Sequence, residues 1–468
     1  MKSFVEYHPE QMLMLPPSLE EWLPEDHLAR FIAEVSVELD LREVMASYEG
    51  DGRGQAAYHP LMMVRLLLYG YCVGMVSSRV IERKTYEDVA FRYLACNQHP
   101  DHATVSEFRR RHRKGLEHLF VKVLLLCQAA GLVKLGQVSL DGTKMKANAS
   151  LHATQRYAAL EAQEEKLAAQ VQEMLAEAER VDAAEDQKYG RGRRGDELPE
   201  DFRSKQRRLE RIREGKARLE QQARQRAEEE KQKRVGRETP EASAENMGAA
   251  PPHEAKPTAE QKINLTDADS RTMRDRSSLG WVQGYNVQAA VDGAAQIIVA
   301  ADVTQDQNDR KHLCPMVEQV EQNLGARPEK VSADTDYWSP SQVASPIVEG
   351  IDLYIRPEDP PPAVRRVERT DEQGAPMRKW KPRSGYTAEG LSRADAMRMK
   401  LKTTEGRAVY AQRREIVEPV FGQIKQRRGL RQFLFRGVER VQSEWKLICL
   451  THNLLKLYRY GWLASRAT

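Results

Sequence analysis

Gln137-Val138-Ser139-Leu140-Asp141-Gly142-Thr143-Lys144-Met145 and Lys330-Val331-Ser332-Ala333-Asp334 are the two stretches that decide the fold. Each is a short run of strand length that reaches an aspartate at or near its end. A carboxylate there is costly unless a ligand or a hydrogen bond satisfies it. Taken singly, such an aspartate is more often a turn residue. Around these runs lie further strand signals, Tyr285 to Val291 and Ala295 to Ala301, with Asp292-Gly293 between them as a hairpin turn. A helix is expected from Lys311 to about Asn323, leading through Gly325 and Pro328 into the second aspartate-bearing strand. Ile351 to Ile355 reads as a fifth strand, followed by polar loop to about Ala388. Helices follow over Val409 to Arg427 and Val438 to Tyr460. The order of strand, hairpin, helix, strand, helix, strand, helix predicts a mixed α/β layer with helices on its faces.

Upstream, residues 1–135 read as an all-helical domain. Asp26 to Ile32 opens an amphipathic segment, and Pro60 stands in the first turn of the apolar run Leu61 to Tyr71. Tyr86 to Leu94 and Thr104 to Lys114, the latter capped by Thr104 or Ser106 and rich in arginine, are spaced like a helix-turn-helix. An ordinary helical core with one solvated basic face explains them equally well. Residues 153–235 are dominated by Ala, Glu, Gln, Lys and Arg. Leu160, Leu167, Met174 and Val181 recur at seven-residue spacing, with Tyr157, Val171 and Ala178 between them. Phe202, Leu209, Ile212 and Leu219 repeat the seam, which predicts a helical hairpin or short coiled coil. Residues 236–261 are expected to be a flexible linker.

With 468 residues, 40% hydrophobic and 30% charged, the chain is long enough for two or three domains with a substantial core. Its apolar runs are too short and too polar to span a bilayer. Met1-Lys2-Ser3-Phe4-Val5-Glu6 carries no signal-peptide pattern, so a cytoplasmic protein is expected. Cys72, Cys96, Cys127, Cys314 and Cys449 form no C-x-x-C pair and read as buried thiols rather than a disulfide framework or zinc site. Trp281, Trp338, Trp380 and Trp445 read as core anchors. A net charge of +4 is too small to establish a nucleic-acid partner; its distribution matters more.

The segment from Tyr410 to Lys425 places Arg414, Glu418 and Lys425 on one helix face. An i,i+4 salt bridge is the usual explanation of Arg414 and Glu418. Pro419, directly after Glu418, is expected to bend the helix and re-aim that carboxylate. Beyond it, Lys425, Arg427, Arg428 and Arg431 interleave with Phe433 and Phe435. That mixture suits a surface for phosphates and sugars, or a solvated cationic face above core phenylalanines.

The set Tyr410, Arg414, Glu418 and Lys425 resembles the Tyr-Arg-Glu-Lys signature of bacterial insertion-sequence DDE transposases, the group with an RNase H-like catalytic core. Pro17 to His27, Tyr58-His59-Pro60, Tyr69-Gly70-Tyr71, Ser77-Ser78-Arg79, Asp141-Gly142-Thr143, Asn264 to Arg271, Gly284-Tyr285-Asn286, Ala333-Asp334, Phe435-Arg436-Gly437 and Thr451 to Leu454 resemble that group in order. The resemblance implies an RNase H-like core over residues 136–152 and 262–468. It also implies a metal-binding catalytic triad of Asp141, Asp334 and Glu418.

Such a triad would hold two Mg²⁺ or Mn²⁺ ions, hard cations suited to carboxylate oxygens. Asp336 competes with Asp334, which is preferred, because it stands where the family tends to have glycine. Arg413 competes with Arg414 because only Arg413 keeps the family's spacing from Tyr410. Asp267, Asp269, Asp292, Asp302 and Asp309 read as turn, cap or strand-end residues and stand in reserve. DNA contacts are expected from Tyr410, Arg413, Arg414, Lys425, Arg427, Arg428 and Arg431, and from Arg109, Arg110 and Arg113 in the helical domain. The implied activity is cleavage and strand transfer at the terminal inverted repeats of a mobile element. Its expected partners are double-stranded DNA and a second copy of the chain, and its expected place is the nucleoid. The alternatives are an RNase H-like nuclease or resolvase without strand transfer, and a silent DNA-binding derivative.

Overall fold

The computed structural model describes residues 18–48, 57–189, 200–235, 256–275, 280–358 and 392–466. They fall into two compact units, the first from Met1–Thr143, Val287–Arg431 and Gln442–Thr468, the second from Lys144–Asn286 and Gln432–Val441.

The first unit begins with helices α1 (Leu28–Val35), α2 (Arg42–Ala46), α3 (Pro60–Cys72), α4 (Ser78–Glu87), α5 (Val89–Leu94), α6 (His102–Arg111) and α7 (Arg113–Ala129). Pro60 is at the first helical position of α3, where its missing N–H costs nothing, and the His59 ring accepts from Leu61 N–H. Nearly every side chain of α3 is buried. Arg65 interrupts the apolar run because its guanidinium bonds Ser36 Oγ at 2.7 Å and the Ala33 carbonyl at 2.8 Å. The cap of α6 is Asp101, accepting from Thr104 N–H at 2.7 Å, rather than Thr104 or Ser106; the helix therefore starts two residues early and breaks at His112.

Strand β1 (Gln137–Lys146) runs through Asp141 instead of ending near it. After β2 (Thr154–Arg156), α8 (Tyr157–Tyr189), α9 (Glu200–Val235), β3 (Lys262–Asn264) and β4 (Arg271–Asp275) come β5 (Gly280–Asp292) and β6 (Ile297–Thr304). Next follow α10 (Leu313–Leu324), β7 (Lys330–Ala333), α11 (Pro340–Val343) and β8 (Asp352–Ile355). The chain closes with α12 (Arg393–Lys400), α13 (Thr404–Gly422), α14 (Val438–Leu457) and α15 (Leu463–Arg466).

In the first unit the strand order is β6-β5-β1-β7-β8. β1, β7 and β8 are parallel, with Leu140 opposite Ala333 and Ala333 opposite Ile355 as the last pairs. The β5–β6 connection is four residues, Gly293 to Gln296, not the two-residue turn expected at Asp292-Gly293. Asp292 stays buried because its carboxylate takes the N–H groups of Lys134, Leu135 and Ala294. Gln296 takes the left-handed backbone conformation at φ 58°. On α14, Asn453 brackets Ile298 through both its N–H and its carbonyl, and so satisfies strand β6 as a neighbouring strand would. α10 lies on β6, and α13 lies on β7 and β8.

In the second unit α8 and α9 are antiparallel, with Tyr157 bonded to Glu220, Glu164 to Arg213 and Met174 to Lys205. Tyr157, Leu160, Leu167, Val171, Leu209, Ile212 and Leu219 form the buried seam. The side chains of Ala178, Val181 and Phe202 lie outside the described residues. Thr154–Arg156, at the expected start of the hairpin, pairs antiparallel with Lys262–Asn264, just past the expected linker, in a two-stranded ladder. Most of the expected linker (236–255), most of the expected polar loop (359–391) and Trp380 lie outside the described residues. Trp338 and Trp445 are buried as expected, but Trp281 is exposed, on β5 opposite Arg274 of β4. Cys96 is also exposed, whereas the other four thiols are buried. No helix among the described residues is long and apolar enough to cross a membrane.

Candidate metal centre

The in-register pairing of β1 with β7 determines the site. Because Leu140 and Ala333 are the last paired residues, Asp141 and Asp334 follow as the next residues on adjacent parallel strands. Neighbouring strands lie about 4.8 Å apart, so the two carboxylates sit side by side at the carboxyl edge of the parallel strands, where open α/β sheets bind ligands. Asp334 then caps a single 3₁₀ turn, accepting from Asp336 N–H at 3.0 Å, and that turn folds Asp336 back toward it.

Carboxylate oxygens of Asp309, Asp334 and Asp336 all lie within 4.8 Å of one another. Asp334 and Asp336 are thus gathered in one group rather than being exclusive choices. Asp309, read from sequence as a turn residue, is buried with them. It is oriented by Gln288, whose Nε2 donates to Oδ1 at 2.6 Å. Gln288 is itself fixed by the Tyr337 hydroxyl, donating to Oε1, and by its own carbonyl, which accepts from Trp445 Nε1 at 3.0 Å. Gly142 leaves the room for this arrangement. A Cβ there would lie 2.6 Å from Gln288 Nε2 and 2.9 and 3.0 Å from the Asp309 oxygens.

Burial, and then the Asp334 charge, push the Asp141 carboxyl up to about 7, against the opposing pull of Arg413 and Gly142 N–H. Asp334 is raised by burial, then by Asp336 and Asp309. Burial and the surrounding carboxylates hold the Tyr337 phenol well above its ordinary range, so it remains a donor. At an effective dielectric of about 20, two charges 5 Å apart repel by about 3 kcal/mol. The raised carboxyls of Asp141 and Asp334 therefore favour a proton or a bound cation. Arg413 offsets only part of this, at 3.8 Å from Asp141. An all-oxygen set of hard donors fits Mg²⁺ or Mn²⁺ and suits a soft metal poorly.

Helix α13 delivers the remaining side chains. Arg413 is buried and turned to Asp141, with its guanidinium 5.9 Å from the centre of the Tyr410 ring. Arg414 faces solvent and pairs with Glu418 at 3.8 Å. Glu418 is exposed and lies five residues past Arg413, about 140° round a regular helix. Pro419 sits inside the helix and cannot donate to the Glu415 carbonyl, which Gln296 Nε2 takes up at 2.8 Å. A π-helical turn, Gln423–Arg427, follows, and from it Lys425 reaches back to donate to Thr143 Oγ1 at 2.6 Å. Thr143 is two residues past Asp141 on β1, so Lys425 anchors the strand end that carries the carboxylate.

Besides Arg413, two further expected DNA contacts are internal. Arg428 is buried, bonding Thr451 Oγ1 at 2.9 Å and carbonyls of Ile448 and Tyr71; burial lowers it to about 10. Arg109 is also buried, on the Val76 carbonyl and the Tyr71 hydroxyl. Arg427 and Arg431 are exposed, Arg113 is half-buried, and Arg110 is exposed in an i,i+3 pair with Glu107. In the second unit, Phe433 is core, edge-on to Tyr285, and Asp267 accepts from the Tyr285 hydroxyl and from Gly437 N–H. Asp269 accepts from Val438 N–H, and Asp302 lies on β6.

Residues 17–111 match the model of the Transposase domain (DUF772) family, and residues 257–454 match that of the Transposase DDE domain family. The chain belongs to the insertion-sequence DDE transposases. No curated protein and no solved structure matches it. In the transposase, the second family match contains Asp309, Asp334, Asp336, Arg413 and Glu418, and ends past Asn453. Membership implies the use of a divalent metal, and the acidic group of Asp309, Asp334 and Asp336 is where the chemistry of the donors fits one. Asp309 stood only in reserve in the sequence because it lies in the polar run Gln305-Asp306-Gln307-Asn308-Asp309, which has no strand or helix period. Its only sequence signal is position, shortly after β6 and before α10.

Proposed function

We propose that the transposase cleaves and rejoins DNA phosphodiesters at an RNase H-like centre built on Asp141 and Asp334. The observation that carries this reading is the placement of these two carboxylates on adjacent parallel strands, each just past the last paired residue and beside Asp309 and Asp336, where burial and mutual repulsion disfavour their full ionisation. The sheet order, three antiparallel-connected strands followed by two parallel ones, supports the RNase H-like assignment. Two Mg²⁺ or Mn²⁺ ions, held by Asp141 and Asp334 with Glu418 as third carboxylate, would neutralise the phosphate, activate the attacking oxygen and stabilise the leaving one.

The chain's own residues have separable tasks. Asp141 and Asp334 present oxygens at one strand edge. Arg413 favours the ionised form of Asp141, and Gln288 with Tyr337 orients Asp309. Lys425 holds the end of β1, and Tyr410, Arg414, Arg427 and Arg431 contact DNA. Residues 1–135 recognise terminal repeats, with Arg110 and Arg113 on backbone phosphates, and two copies pair the ends before joining. A second reading of the third carboxylate is favoured by the 4.8 Å grouping: Asp336 takes that place instead of Glu418.

The test is cleavage of a plasmid carrying the element's own ends, with Mn²⁺. Asp141→Asn is expected to abolish nicking while leaving end binding intact, and full activity in that variant removes Asp141 from the site. Of Glu418→Gln and Asp336→Asn, the one that abolishes nicking identifies the third ligand. Strand-transfer products separate a transposase reaction from simple hydrolysis.

A further inference from the structure

The second unit contains a cleft that the chemistry above does not use. Its volume is about 700 Å³, and Arg203, Arg207, Arg208 and Arg211 of α9 line one side, with Ser204 among them. Ala153, Leu265 and Thr266 form the other side. That second wall is held in place by hydrogen bonds: Leu265 N–H bonds the Ala153 carbonyl at 3.0 Å, and Asn264 Oδ1 accepts from Thr266 N–H at 2.9 Å. Gly215 lets α9 come close to it, since a Cβ there would lie 2.8 Å from Leu265.

The four arginines are exposed, and none has an acidic partner among the described residues. Their neighbours on α9 do: Arg213 and Lys216 pair with Glu164, and Arg218 lies 3.7 Å from Asp269. Arg203, Arg207 and Arg211 follow at i,i+4 spacing, where like charges repel, and Arg203 stands in the first turn, where the helix dipole disfavours a cation. Leu209 and Ile212, on another face of the same stretch, are buried in the hairpin seam. The fold thus aligns a row of cations along a cleft, and an anion in the cleft offsets their mutual repulsion. The row spans about 12 Å from Arg203 to Arg211, equal to the rise of three to four base pairs along a duplex axis at about 3.4 Å each.

We propose that this α9 cleft docks the phosphodiester backbone of duplex DNA, without reading its sequence. The site is separate from the metal centre, but its occupant follows from the transposase reading. Each arginine that neutralises a phosphate adds about 0.9 to the salt dependence of binding, so the four together account for a slope of about 3.6 in log K against log salt.

The experiment uses the full-length chain and a random-sequence 40-base-pair duplex, with binding followed by fluorescence anisotropy across a salt series. The combined Arg203→Gln, Arg207→Gln, Arg208→Gln and Arg211→Gln variant is expected to lower the slope by about 3 and to weaken binding at least tenfold at about 0.1 M salt. The four-fold Arg→Lys version keeps the slope. Arg224→Gln with Arg226→Gln, a control further along α9, leaves it unchanged. Should the Gln variant melt early, Arg208→Gln alone carries the test, with a slope lower by about 0.9. An unchanged slope in the folded Gln variant overturns the cleft assignment and leaves the metal centre standing, as does an equal fall in the control. Retained DNA binding together with lost binding of polyglutamate assigns the cleft to an acidic polypeptide and also overturns it. A wild-type chain that binds no duplex at all contradicts the transposase reading itself.

Discussion

Gly142→Ala probes the metal centre without touching a carboxylate. Gly142 is on β1 with an ordinary extended backbone, so alanine adds volume and no conformational strain. The new methyl would stand 2.6 Å from Gln288 Nε2 and under about 3 Å from both Asp309 oxygens, where contacts of about 3.5 Å are needed. Either Asp309 moves by the better part of an ångström or its 2.6 Å bond to Gln288 breaks. Overpacking of this kind costs about 1–3 kcal/mol, and a lost hydrogen bond to a charged group costs about 1.5–3 kcal/mol. Misplacing an orienting partner of a metal ligand lowers metal affinity about 10–100-fold. Calorimetric titration with Mn²⁺, together with urea unfolding in chelator, separates the two effects. The expected outcome is at least tenfold weaker Mn²⁺ binding with a stability loss of about 1–3 kcal/mol. Wild-type Mn²⁺ affinity in a destabilised Gly142→Ala protein would refute the place given to Asp309.

Other outcomes follow from neighbouring contacts. Arg413→Gln is expected to reduce cleavage more than tenfold and Arg414→Gln less than threefold, since only Arg413 faces Asp141; equal effects in a plasmid-nicking assay contradict this. Arg428→Ala should destabilise the fold by about 3 kcal/mol or more, because it leaves buried acceptors unpaired. The salt slope of DNA binding in refolded material should not change, and a lower slope would return Arg428 to the surface. His452 donates from Nε2 to the Gln296 carbonyl, and burial depresses it from 6.5 to about 3. The unfolded chain therefore binds the proton first as pH falls below 6.5, and stability drops by about 1.4 kcal/mol per pH unit down to about 3. His452→Gln should remove that component from the urea midpoint between pH 7 and 5, and an unchanged pH dependence would contradict the burial argument.

Strand and helix placement was legible where one physical signal dominated. The short strands β1 and β7 and the apolar α3 behind Pro60 appear where their patterns predict, and Leu160, Leu167, Leu209, Ile212 and Leu219 of the expected seam are buried. The aspartates in and after those runs, Asp141 and Asp334, come to adjacent strands as the two runs pair in register. What escaped was the product of long-range register. Asp309 joins the site because β6 and α10 carry its loop to the end of β7, and nothing in its local sequence records that. The basic run after Glu418 hid an inside and an outside: Arg427 and Arg431 are exposed, while Arg428, just before the left-handed Gly429, points inward. Which of Arg413 and Arg414 faces Asp141 depends on helix phase, set by packing against β7 and β8 rather than by residue type. The short β2 and β3 strands carry no pattern that separates them from the flanking helix and linker.

The most direct test of the metal centre is anomalous diffraction from crystals grown with Mn²⁺. A peak is expected about 2.2 Å from carboxylate oxygens of both Asp141 and Asp334, with the third ligand visible as Glu418 or Asp336. Saturating Mn²⁺ with no peak at that strand edge, or a peak held by other residues, would contradict the metal-centre assignment.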